Sequence, residues 1–303
     1  MSNTTTLNQV SRFALSDASG VTGFSLTANV EAGLWGLRLG ASSNEIGGIC
    51  TDYSGNLYIS DVQEHFIIKV AEGGKVSRFA GLPGTSGNNG DGVGLAKVTA
   101  ANARFNAPRG LCCDKSNNIY VCDSGNNKIR KIDNGGSVTT FAGSLAGAAG
   151  YVNGVSGAAR FDGPRGIAVD NAGILYVADF NNHAVRKILP NGRVYSLAGN
   201  NVIGDAENFL GNDPDRSPNL RATFSSPWDV AVDPSGNVYV LDTGNNKIKK
   251  ITPNGWVYLH SGSGTAGRSL GTAGSTPATA KAYTCTYGGL VSCDTDNSGN
   301  LYV

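Results

Sequence analysis

Residues 161–199 read FDGPRGIAVDNAGILYVADFNNHAVRKILPNGRVYSLAG. The stretch predicts four short strands in succession. Residues 166–169 are small and apolar, 174–178 are β-branched and aromatic, 184–188 alternate, and 194–197 form the last run. Turn chemistry separates them at 170–173, 179–183 and 190–192, where Asp, Asn, Gly and Pro collect. A meander of four strands this short cannot bury a core by itself, so repetition is the next feature to seek.

The chain repeats it. Residues 46–81 contain GGICTDYSGNLYISD, residues 105–143 contain PRGLCCDKSNNIYVCDSGNNKIRKI, and residues 224–262 contain PWDVAVDPSGNVYVLDTGNNKIKKITPNG. A last copy begins at Tyr287 with YGGLVSCDTDNSGNLYV and stops halfway, at Val303. Its other half lies at the start of the chain, where NQVSRF at 8–13 matches NKIRKI at 127–132 and Thr4 falls at the place of Asp123. The markers Gly48, Gly110, Gly166, Asp229 and Gly289 recur at roughly 60 residues. Five units use the whole chain. Pairing residues 301–303 with 6–10 would join the two halves and remove two unpaired sheet edges. Closure within one molecule is expected, giving a monomer, with an exchanged half-unit dimer as the alternative.

The pattern P-x-G-[apolar]-A-V-D, then G-N-[apolar]-Y-V-[small]-D, then N-N-[HK]-[apolar]-[RK]-K-I is similar to the NHL repeat, whose members build β-propellers. The resemblance covers essentially the full chain. It implies an all-β, five-bladed propeller of four-stranded antiparallel blades in a single domain, 1–303. The blades fall at 46–81, 105–143, 161–199, 224–262, and 287–303 plus 1–26, the last a composite, velcro-type closure. Six blades are commoner in the family. The resemblance implies less about function, since the family spans scaffolds, lyases and nucleic-acid binders.

Glycine is 43 of 303 residues, and it falls at matched turn positions, which points to tight hairpins rather than disorder. With 24 basic and 23 acidic side chains, the chain lacks the basic excess of a nonspecific nucleic-acid surface. Residues 1–10 are polar and no apolar run reaches membrane-spanning length, so a soluble protein without a signal peptide or transmembrane segment is expected; its compartment is open. Cys50, Cys112, Cys113, Cys122 and Cys293 replace small apolar strand residues, Cys113 and Cys293 at the place of Val169 and Val232. Buried free thiols are expected, with a Cys112–Cys122 pair as the oxidised alternative.

Two aspartates recur. Asp52, Asp114, Asp170, Asp233 and Asp294 follow the first strand and read as caps of their own turns. Asp61, Asp123, Asp179 and Asp242 follow the second strand, before the Asn pairs 126–127, 181–182 and 245–246. These read either as locked turns or as a carboxylate ring holding Ca²⁺ near a central channel. Repetition favours the turn, since one ion cannot use every copy equally; no other cofactor is expected. His65 and His183 take the place of Asn127 and Asn246 and should bond a neighbouring turn, while His260 matches Phe141 and Leu197 on the outer strand. Histidines so placed would not converge on zinc. Lyases of the family use metal-bound His with a catalytic Tyr or Arg, a set that cannot be placed on this chain. No serine-nucleophile elbow or phosphate loop is present.

The copies differ where each inner strand starts, with pairs 46–47, 108–109, 164–165, 227–228 and 287–288. Arg109, Arg165, Trp228 and Tyr287, with Glu45 close by, should share one rim of the channel. Two guanidiniums and two aromatics suit an anionic, peptide or sugar ligand, and the partner expected is a protein, peptide or carbohydrate. The same residues could instead brace neighbouring blades. The expected function is therefore a binding module, not an enzyme. A calcium-dependent hydrolase or lyase at the channel mouth and a purely structural or permuted ring are the alternatives.

Overall fold

The computed structural model describes residues 24–25, 38–39, 46–88, 98–99, 102–207, 221–262, 264 and 292–303. Strand β1 (Phe24–Ser25) pairs with β2 (Arg38–Leu39). The first complete sheet is β3 (Ile46–Thr51), β4 (Leu57–Asp61), β5 (Phe66–Val70) and β6 (Val76–Ala80). The second begins with a short strand β7 (Val98–Thr99), followed by β8 (Pro108–Cys113), β9 (Ile119–Asp123), β10 (Lys128–Ile132) and β11 (Ser137–Gly143). The third has β12 (Gly154–Val155), β13 (Pro164–Val169), β14 (Leu175–Asp179), β15 (Ala184–Ile188) and β16 (Arg193–Ala198). The fourth has β17 (Pro227–Val232), β18 (Val238–Asp242), β19 (Lys247–Ile251) and β20 (Val257–Ser261), and the hairpin β21 (Asp294–Thr295) and β22 (Leu301–Tyr302) ends the chain. Every pairing is antiparallel between neighbours in sequence, apart from β7 and β12. Those two come from the linkers. Each adds a fifth strand outside the outer strand of the sheet it precedes, which is how surplus linker length is used.

The first turn of each sheet shows why the repeat is so regular. In the first copy Asp52 Oδ1 accepts the backbone N–H groups of Ser54 and Asn56, and Oδ2 accepts Asn56 Nδ2 and the Tyr58 hydroxyl. Burial pushes the Asp52 carboxyl up, but these four bonds outweigh it and hold the group below its ordinary value. Asp114 and Asp233 make the same four bonds, and Asp170, with Ile174 where the others have Asn, makes three; each bonds the tyrosine six residues on. In the last copy the turn aspartate is Asp296, bonded to Ser298, Asn300 and Tyr302, and Asp294 stands two residues earlier within β21. The expected register of that copy is corrected by two or three residues. The pairing Thr295↔Leu301 reproduces Thr51↔Leu57. Cys293 thus takes the place of Ile49, and Ser292 that of Gly48. Tyr287 takes the sequence place of Phe105, Phe161 and Phe224; its structure, like that of Glu45, Cys285 and residues 1–13, lies outside the described residues.

Inner strands β3, β8, β13 and β17 lie side by side, and their glycines set the spacing. A Cβ on Gly48 would come 2.9 Å from Gly110 Cα, and one on Gly110 would come 3.0 Å from Gly166 Cα. Between sheets the core is continuous. Phe105, Phe161 and Phe224 are fully buried wedges between one sheet and the next. Burying each such ring contributes roughly 2–3 kcal/mol. Cys50, Cys112, Cys113, Cys122 and Cys293 are free. Cys112 stands opposite Tyr120, two places along β9 from Cys122. Burial pushes all five thiols up, Cys113 to about 12, so none offers a ready thiolate.

Candidate functional site

Each inner strand opens with a register shift, between Ile46 and Gly48, Pro108 and Leu111, Pro164 and Ile167, and Pro227 and Asp229. Proline is tolerated there because the first strand position needs no ladder N–H. The bulge turns the following side chain out of the pleat. Arg109, Arg165 and Trp228 are those side chains, and the structure brings all three together. The Arg165 guanidinium carbon lies 3.6 Å from the centre of the Phe180 ring and 3.8 Å from that of Trp228. The two rings meet edge to face at 5.6 Å, and the Arg109 guanidinium lies 5.7 Å from the Trp228 ring. All four side chains are half-buried. Each such cation–π contact adds about 0.5–2 kcal/mol. Phe180 was not among the expected residues. It follows Asp179 where Ser124, Thr243 and Val62 stand in other copies, so variation between copies at that place carried the signal.

The residue before each Pro holds the strand starts in place. Ala107, Gly163 and Ser226 have positive φ of 49°, 57° and 50°. Their N–H groups donate to His65 Nδ1 (3.1 Å), Asn127 Oδ1 (2.9 Å) and His183 Nδ1 (3.0 Å) of the preceding sheet. The two histidines are therefore the tie to a neighbouring turn that their place in the repeat suggested. His260 instead packs edge-on against Tyr239 at 5.0 Å, as Phe141 does against Tyr120.

The second aspartates are occupied by a repeated buried assembly. Asp123, Asp179 and Asp242 are fully buried and pair with Arg130 (3.2 Å), Arg186 (2.7 Å) and Lys249 (2.9 Å) of the third strand. Each also accepts an Asn side chain of the following turn, from Asn126, Asn182 and Asn245, and a backbone N–H of the linker, from Asn106, Asp162 and Ser225. Each cation lies 5.1–5.3 Å from the centre of its wedge phenylalanine and donates to the carbonyl of Arg104, Arg160 or Thr223. Burial raises the three carboxyls, Asp179 to about 6, against the pull of their cations. Asp61 caps its turn by accepting Gln63 and Glu64 N–H, and Ile68 stands where the others have the cation. A calcium ion at these carboxylates would have to displace the cations already there. Among the described residues no group of three or more His, Cys, Asp or Glu is placed to hold a metal, and no helix is long and apolar enough to cross a membrane.

Residues 105–132, 161–188 and 224–251 each match the NHL repeat family. Teneurin-1 of Homo sapiens is 29% identical over 188 residues, covering 55% of this chain and 6% of teneurin. NHL repeat-containing protein 2 of Gallus gallus is 32% identical over 161 residues, covering 49% of this chain and 21% of that protein. The chain thus spans less than a quarter of the length of these curated relatives. Among solved structures, virginiamycin B lyase from Staphylococcus aureus aligns with 84% of this chain and 61% of its own at a TM-score of 0.48 and 14% identity. A nidogen/laminin complex aligns with 72% and 65% at a TM-score of 0.48 and 16% identity.

Proposed function

We propose, because this chain is an NHL-repeat protein, that it folds as one five-bladed β-propeller and binds a protein, peptide or carbohydrate at the rim carrying Arg109, Arg165, Phe180 and Trp228. The observation that carries the reading is the half-buried cluster in which Arg165 packs against both Phe180 and Trp228, contributed by two neighbouring sheets. Arg and Trp are the side chains that most often dominate binding energy at an interface. A flat aromatic with a guanidinium against it offers both an apolar face and fixed donors. Glu45 and Tyr287 belong to the proposal through the sequence alone.

Closure of the ring is part of the same proposal. Ile46 and Ile49 on β3, and Tyr302 on β22, are exposed among the described residues, so two sheet faces await cover. With the register set by Leu301↔Thr295 and residues 8–13 matched to 127–132, the third strand of that blade would place Ser11, Arg12 and Phe13, rather than residues 6–10, opposite Val303, Tyr302 and Leu301.

The test is a screen of the purified chain on a glycan array and a displayed random-peptide library. Ligands selected by wild type should be lost, by tenfold or more, in Arg165→Ala and Trp228→Ala variants whose melting is kept within a few degrees. Ligands retained by both variants would show that the stack only braces two sheets.

A further inference from the structure

At the place of Gly48, Gly110 and Gly166 the fourth sheet carries Asp229. Its backbone and carboxyl occupy the room that the missing side chain of Gly166 leaves on β13. Asp229 Oδ2 accepts the backbone N–H of Cys293 at 2.9 Å, and Oδ1 accepts Val230 N–H at 2.9 Å. Ser292 bonds the same carboxyl through its side chain. A further cross-sheet bond runs from Thr295 Oγ1 to the Val232 carbonyl at 2.7 Å, and Cys293 and Leu301 pack against Leu241 and Ile248 of the fourth sheet. The hairpin β21–β22 is therefore held to β17 by a side chain that the other copies lack.

We propose that Asp229 is a pH-sensitive latch that fastens the β21–β22 hairpin to the inner strand of the fourth sheet. The proposal is independent of ligand binding at the rim. The titratable groups facing Asp229 among the described residues are Asp294 and Cys293 on the hairpin and Cys122 on β9; Gly166 of β13 brings none. Burial first, and then the like charge of Asp294, raise the Asp229 carboxyl to about 7 against its hydrogen bonds. Opening the hairpin returns it to water, where a carboxyl titrates near about 3.9. The closed form then binds more protons than the open form between those values. By linkage, opening becomes easier as pH rises through that window and levels off above it.

Hydrogen exchange of the 292–303 segment, measured in the whole chain from pH 4 to 9 and corrected for intrinsic rates, tests this. The opening constant should rise by up to about tenfold per pH unit between roughly 4 and 7 and then flatten. In Asp229→Asn, which keeps the shape and an acceptor, the rise should shrink to the smaller part that Asp294, itself raised by burial, supplies. Asp294→Asn should keep the rise with its upper end moved to lower pH. A wild-type opening constant that does not change with pH, or one that changes equally in Asp229→Asn, would overturn the latch.

Discussion

Arg130, Arg186 and Lys249 are fully buried, and each is locked between an aspartate and a phenylalanine ring. In the sequence they belong to the motif [RK]-K-I, where a cation in a strand ordinarily marks the wet face. Strict alternation would set Val185 and Lys187 on one face and Arg186 and Ile188 on the other. In fact Val185, Arg186 and Ile188 are all buried. A third strand lies between two neighbours in its sheet, and only the carboxylate at the end of the adjacent second strand makes the burial of the cation tolerable. The Asp–Asn half of the assembly was legible as a locked turn; the cation was not, because its partner is seven residues distant. Arg186→Met should cost on the order of 3–5 kcal/mol by leaving Asp179 buried and uncompensated, read from urea unfolding, whereas Arg186→Lys, the fourth sheet's own choice, should cost much less. His183 supplies a second test. Burial lowers its pKa, with the Asp242 charge pulling the other way. A folded-state pKa below the unfolded value near about 6.5 gives stability that is present above that pH and is lost as pH falls beneath it. His183→Asn, as in the second and fourth sheets, should flatten this loss in melting curves taken between pH 7 and 5.

The strand is the scale at which the sequence spoke most clearly. Asp, Gly and Asn at fixed offsets mark each hairpin because the carboxylate accepts two backbone N–H groups that no other residue type would satisfy so locally. That regularity placed the four repeat strands of the second, third and fourth sheets, but not the linker strands β7 and β12. It failed in the last copy, where two aspartates in Cys-Asp-Thr-Asp compete for one turn, and only the bonds of Asp296 to Asn300 and Tyr302 decide. The rim was half legible. Variation between copies singled out Arg109, Arg165 and Trp228, but the turn that delivers Phe180 was read as spacing alone. The inner strands offer a prediction of their own. A methyl group on Gly166 would strike the Asp229 backbone and carboxyl. Gly166→Ala should destabilise by about 1–3 kcal/mol through overpacking, seen as a lowered urea midpoint with unchanged slope.

For the whole molecule, four sheets stand with their inner strands side by side and wedge phenylalanines between them, and the β21–β22 hairpin lies against β17. Length and period supplied this plan, since each copy needs its neighbours to cover both faces. That the halves at 1–26 and 287–303 meet is proposed from the match of residues 8–13 to 127–132. Removing residues 1–13 should therefore be severely destabilising, with melting lowered well beyond the few degrees expected of trimming an unattached end. The most direct test of the ring is a backbone NOE experiment on the full chain with Arg12 and Tyr302 selectively labelled. The account predicts cross-strand contacts between these two residues, arising within one molecule at dilute concentration. Contacts of Arg12 with some other strand, or contacts with Tyr302 that appear only between differently labelled molecules, would contradict it.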